Sequence, residues 1–186
     1  MAITDVTICN SALTKVGAQR ISALSDNNDR ARLCTEQYDK NRQNLLVSHP
    51  WKFARDRVAL SASITAPAYG WAYKFPLPSD CLRVWGTSTE PDDWTTEGRF
   101  LFSNSSEISI NYIKDLTDES LFTPSFAEAL ACMIAEDISY ALTKSSSLLE
   151  NLQKKTKAAI AFARNQNGQE GVGDRIYADT WLNARY

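Results

Sequence analysis

The side chains best suited to nucleophilic or metal chemistry are one histidine, His49, and four cysteines, Cys9, Cys34, Cys81 and Cys132. Placed beside Cys34 or Cys81, His49 could act as the base that generates a thiolate. Its position argues otherwise: it immediately precedes Pro50 at the end of a helical pattern, where a lone histidine is expected to be a structural or exposed group. The cysteines lie far apart with no C-x-x-C, and His49 has no second ligand near it in sequence, which disfavours both zinc and a disulfide framework. Glu90, Asp92, Asp93 and Glu97 could in principle hold a divalent cation, but they lack the alternating spacing of a calcium loop and read as a solvated loop. Asp137 falls on the helix that reads as most buried and is expected to be ion-paired or partly exposed. No phosphate loop, dinucleotide fingerprint, nucleophile elbow or zincin motif occurs, and Gly171-Val-Gly173 lacks both a third glycine and a preceding strand. Neither catalytic residues nor a cofactor is expected. Lys52, Arg55 and Arg57 beside Trp51 and Phe53 mix cations with aromatics, a combination able to clamp phosphates; the simpler reading sends the aromatics into the core and leaves the cations wet. Lys154, Lys155 and Lys157 read as a solvated helix face.

These side chains ride on a helix–sheet–helix order. Thr4 or Asp5 can cap a first helix with Val6, Cys9, Leu13 and Val16 at helical spacing, and Gly17 stops it. A polar linker starting at Ser25 opens a second helix, whose stripe is Ala31, Cys34, Tyr38, Asn41 and Leu45, with Leu46 beside it, until Pro50 ends it. Thr123-Pro124 reads as an N-cap and first-turn proline for a third, most buried helix with Phe126, Leu130, Met133, Ile134, Ile138 and Leu142. A break at Ser145 to Ser147 leads into a fourth with Leu149, Leu152, Thr156, Ala159 and Ala163, so the last two helices form an antiparallel hairpin. Between them the period changes to two at Val58-Leu60-Ala62, Trp71-Tyr73-Phe75, Leu82-Val84 and Ile108-Ile110-Tyr112. About five short strands are expected, the last two paired as a hairpin through Asn104-Ser105-Ser106.

The fold class is therefore α+β and mainly helical: an antiparallel bundle of about four helices with an inserted small antiparallel β-sheet and an extended C-terminal tail. Helices fall at about 4–17, 28–48, 124–143 and 146–167 and the β insertion at about 56–114, all in a single domain 1–168, followed by the tail 169–186. A chain of 186 residues can bury a core without staples, and its apolar share of 44% suits a globular protein. Net charge −2 gives no general pull toward nucleic acid, although residues 61–120, with four basic and nine acidic groups, form an acidic block. No run approaches a membrane span, no positive stretch leads into an apolar core as in a secretory signal, and the cysteine usage suits a reducing cytoplasm.

Three phrases, Ile8-Cys-Asn-Ser-Ala-Leu-Thr-Lys-Val-Gly17, Leu45-Leu-Val-Ser-His-Pro-Trp-Lys-Phe-Ala54 and Trp71-Ala-Tyr-Lys-Phe-Pro-Leu-Pro-Ser-Asp-Cys-Leu-Arg-Val84, occur in this order. Together they resemble the tail tubular protein A family of tailed phages, from about residue 3 to about 167. The resemblance implies a structural virion protein: a head-to-tail adaptor that forms a homo-oligomeric, dodecameric ring below the portal protein. Such a ring accepts the tail tube or nozzle protein and leaves a channel through which DNA only passes. Localisation would be the virion, at the head–tail interface, after synthesis in the host cytoplasm, with no membrane partner. In the tail, Ile176, Tyr177, Trp181, Leu182 and Tyr186 crowd large apolar groups after two glycines and are candidate anchors on the portal or a neighbouring subunit. Two other classes compete: a small DNA-binding helical protein of phage packaging or regulation, resting on Lys52 to Arg57, and a small hydrolase using Cys81 or Cys34 with His49.

Overall fold

A computed structural model describes residues 2–88 and 93–170. Among the described residues four helices, α1 (Asp5–Lys15), α2 (Asp29–Val47), α3 (Pro124–Thr143) and α4 (Ser146–Gln169), flank six strands. The strands are β1 (Arg55–Leu60), β2 (Tyr73–Pro76), β3 (Cys81–Thr87), β4 (Trp94–Glu97), β5 (Phe100–Ser103) and β6 (Ile108–Lys114).

The helix ends follow local chemistry. At the start of α1 the Thr4 hydroxyl accepts from the Thr7 amide at 3.2 Å while the Thr7 hydroxyl accepts from the Thr4 amide at 2.8 Å, so two otherwise orphaned donors are satisfied reciprocally. At its end Gly17, with φ +74°, sends its N–H to Thr14, and the next residue, Ala18, reaches back to the Leu13 carbonyl at 2.9 Å. That closure needs the left-handed conformation glycine adopts without strain. Asn28 caps α2 by accepting from the Ala31 amide at 2.9 Å, and Thr123 caps α3 ahead of Pro124. Lys144, in the left-handed region at φ 54°, and the capping Ser145 make the short break before α4.

α3 is the hub: it packs against α1, α2 and α4, and Phe126, Leu130, Ile134 and Ile138 are completely buried. Each such side chain contributes about 1.5–3 kcal/mol relative to exposure. The helical core is sealed toward the sheets by Trp51, Ile113, Leu116 and Phe122. Trp51 is 0% exposed, donates its indole N–H to the Leu45 carbonyl at 2.8 Å, and meets Phe126 edge-on.

The β region differs from the sequence expectation. It contains two three-stranded antiparallel sheets, ordered β1-β6-β3 and β2-β5-β4, rather than one sheet of about five strands. Nor do the last two strands form a hairpin: β5 is the centre of one sheet and β6 the centre of the other. The reason is burial. Phe75 and Leu101 of one sheet and Ile108, Ile110 and Tyr112 of the other share a second apolar cluster, which side-by-side pairing of β5 with β6 would break up. The hairpin is instead β4–β5, closed by Gly98-Arg99 with a positive φ of 58° at the glycine alone, as a type II′ turn requires. The crossover begins at buried Ser103, whose hydroxyl donates to the Asp93 carbonyl at 2.8 Å and accepts from the Ser105 amide at 3.2 Å. In β3 the register slips past Leu82 and again past Trp85, two bulges that bend this edge strand.

Candidate functional site

His49 follows the last turn of α2, where its Nε2 accepts from Asn167 Nδ2 at 2.9 Å. The orientation of that amide is fixed on its other side, because Asn167 Oδ1 accepts the Lys52 backbone N–H at 2.9 Å. The Nε2 atom is thereby committed to the unprotonated form, and the proton belongs on Nδ1. Burial and the neighbouring Arg164 guanidinium both push the His49 pKa below 6.5. Its ring also stands edge-on to Trp51 at 4.9 Å.

Neither cysteine proposed to work with His49 is held by it. Cys34 is buried on α2 against Cys9 of α1, whose thiol donates to it; that bond and burial push Cys9 upward, while the same bond, working against burial, holds Cys34 below its usual value. Cys81 is buried in the β cluster, and desolvation raises its pKa, which suits a packing group rather than a nucleophile. Cys132 is buried on α3 and raised chiefly by desolvation.

The acidic candidates are dispersed. Asp93 accepts from Asn104 Nδ2 at 3.1 Å, Glu97 ends β4 at the surface, and Glu90 and Asp92 lie outside the described residues. Among the described residues no group of three or more histidine, cysteine or acidic side chains is placed to hold a metal ion. Asp137 is exposed and accepts from Asn41 Nδ2 at 2.8 Å, so an amide stands where a cation was an option. In the Lys52–Arg57 cluster Trp51 and Phe53 join a ring cluster with Phe122 and Phe126 and are not offered to a ligand, while Arg57 is exposed. The tail candidates Ile176, Tyr177, Trp181, Leu182 and Tyr186 lie outside the described residues.

Sequence reasoning missed the surface that stands out most. The segment 61–72 between β1 and β2 carries Ile64, fully exposed, and Tyr69, 90% exposed. Beside it Tyr69, Trp71, Lys74, Phe100 and Phe102 line a recess of about 450 Å³, with the Lys74 ammonium 5.3 Å from the Phe100 ring. The available signal was a stretch with neither period, 63–70, that still contains Ile64 and Tyr69 on either side of Pro67. On the helical body Phe162 of α4 is 58% exposed, to one side of the stripe of buried Leu152, Thr156 and Ala163, and Tyr140 of α3 is half exposed. No helix among the described residues is long and apolar enough to cross a membrane.

No family model matches the chain, and no curated protein matches it.

Proposed function

We propose that the chain is the head-to-tail adaptor of a tailed phage, a ring subunit seated below the portal that receives the tail tube or nozzle. The observation that carries the reading is the separation of its exposed large apolar groups onto different modules: Ile64 and Tyr69 project from the β region, Phe162 and Tyr140 from the helices. A subunit in a closed ring needs unlike patches on its two sides, because each side meets a different surface of its neighbour. Isolated exposed apolar residues need no explanation, but groups of this size are favoured anchors when an interface covers them. The three phrases that carry the family resemblance also hold the structural joints: the first forms α1 with its glycine stop, the second buries Trp51, and the third spans β2 and the start of β3.

Under this reading the helical body is an antiparallel four-helix bundle, supported by the tight α3–α4 connection and by the packing of α1 and α2 on α3. Of the features that suggested the DNA-binding and hydrolase alternatives, the aromatics beside Lys52 are core groups and His49 is engaged by Asn167.

Electron microscopy of the full chain mixed with the portal of its phage tests the proposal. Rings stacked on the portal, twelvefold in end view, are expected; portals that remain bare at saturating chain would overturn it. A variant ending at residue 169 separates the proposed anchors from the body. It should keep the melting temperature and lose attachment.

A further inference from the structure

The recess on the β2-β5-β4 sheet is held open by the chain around it. Alternation along β2 and β5 sends Phe75 and Leu101 into the second apolar cluster, so Lys74, Phe100 and Phe102 stand on the other face, with Lys74 directly opposite Phe102. The segment 61–72 is pinned beside that face near both ends. The Ser63 N–H donates to the Lys74 carbonyl at 2.8 Å, and the Ala72 N–H donates to Asn104 Oδ1 at 3.2 Å. Between the pins Gly70 takes φ +84°, a conformation open to glycine without strain, and Tyr69 and Trp71 on either side of it line the recess. The result is an aromatic-walled hollow of about 450 Å³ with the exposed carboxylate of Glu97 on its wall. The Lys74 ammonium in the same wall already lies over the Phe100 ring.

The outer side of α4 offers a counterpart. The helix packs on α3 through the stripe that contains Leu152, Thr156 and Ala163. At about 3.6 residues per turn, Asn151, Lys155, Ala158, Phe162 and Gln169 fall on one strip beside that stripe, and all five are exposed. Phe162 is the one large apolar side chain of the strip, Ala158 a turn before it leaves room for a close approach, and no acidic residue belongs to it. Over its length α4 carries four basic residues and one acidic, against four and nine in residues 61–120. Lys155 lies close enough to Cys132 of α3 to act on its thiol, and the carboxylate there, Glu128, is already paired with Lys15 at 2.9 Å.

We propose that α4 of one copy of the chain docks on the recess of the next copy, with Phe162 as the inserted side chain. The inference rests on the ring reading: a ring closes through a heterologous contact, which joins two different surfaces of the same chain, so both halves must be written in one sequence. The two surfaces share no residue, and each is left uncovered within the subunit. They agree in shape and chemistry, since a helix face with a single aromatic knob meets a hollow walled by aromatic rings, the arrangement of a helix laid in a groove. Buried at the centre of such a contact, an aromatic side chain carries a large share of the affinity. They also agree in charge. The basic helix meets the acidic insertion, with Lys155 of the strip available to Glu97 of the wall, which steers the encounter and disfavours pairing of two helices or two recesses.

Analytical ultracentrifugation of the full chain without portal tests this, so its failure is distinct from failure of the adaptor reading, which turns on attachment to the portal. Association that grows with concentration and weakens as salt is raised is expected. Phe162→Asp and Tyr69→Asp, both at exposed positions, should keep the parent's melting temperature and each weaken association at least tenfold. Phe162→Ser and Tyr69→Ser give milder versions should either variant melt early. Mixed in equal amounts, the two variants retain one working pairing, α4 of the Tyr69→Asp chain on the recess of the Phe162→Asp chain, and should form a heterodimer that grows no further. Lys40→Asp, an exposed change on α2, should associate as the parent does. A parent chain still monomeric at about 1 mM, a mixture that stays monomeric, or an equal loss in Lys40→Asp would each overturn the proposal. So would association abolished by Tyr69→Asp and untouched by Phe162→Asp, which would give the recess a different occupant.

Discussion

Arg42 of α2, only 3% exposed, places Nη1 2.5 Å from Asp115 Oδ1 just beyond β6, tying a helix to a strand end 73 residues away. The same guanidinium donates to the Leu116 carbonyl at 2.7 Å and pairs with Asp39 at 3.1 Å, while Gln43 holds the second Asp115 oxygen at 2.8 Å. Asp115→Leu leaves a buried guanidinium short of its main counter-charge and should cost about 3–5 kcal/mol. Asp115→Asn keeps an acceptor oxygen and should cost less, about 1–2 kcal/mol. Urea unfolding of both variants checks the order.

Leu13, Leu45, Leu130 and Leu152 lie on the four helices and are all essentially buried in one core. Truncating any one to alanine should cost about 2–5 kcal/mol, the sum of lost transfer energy and the cavity left behind. Leu130→Ala is expected at the upper end, because α3 is packed on three sides and its neighbours have little freedom to close the gap. Thermal melts that match the parent for all four would refute a shared helical core.

The folded-state pKa of His49 is depressed, so its contribution to stability is present above pH 6.5 and is lost as pH falls below that value, where the unfolded chain takes up the proton more readily. Protonation would also turn Nε2 from an acceptor into a donor facing the Asn167 amide. Melting temperatures should therefore decline from pH 7 to pH 5, and His49→Gln should flatten the decline. The same substitution should leave assembly on the portal intact, since the role assigned to His49 is internal.

Ile64 and Tyr69 make a second, separable claim. Ile64→Ser with Tyr69→Ser removes two exposed groups, so the melting temperature should stay close to the parent value while ring formation or portal attachment weakens at least tenfold in a sedimentation or pull-down titration. A variant that assembles normally would show that this segment is not part of the adaptor's contacts.

The helices were readable from the chain because their signals are local: Thr4, Thr123 and Pro124 mark starts, Gly17 and Pro50 mark stops, and the apolar stripes name the buried faces. The sheets were only half readable. Alternation locates strands such as β6, but pairing is decided by which faces can be covered, and the meeting of Leu101 with Ile108 and Ile110 across two sheets is invisible in spacing. Arg42 was missed for a similar reason. It lies next to Asn41 on the apolar stripe of α2, and only the fold brings Asp115 to it.

Asn167 has a further consequence for the order in which the chain becomes native. It holds both His49 and Lys52, partners 118 and 115 residues earlier, and α3 supplies the Phe126 wall against Trp51. During synthesis α1, α2 and all six strands emerge before the two helices that complete these contacts. Local turns and hairpins can form at once, but the closure around Trp51 waits for the last helices and pays its loop-closure entropy late. Nascent chains should hence expose the Trp51 site to chaperones until α4 arrives, and substituting Asn167 should slow the final folding phase more than it slows the formation of helix signal.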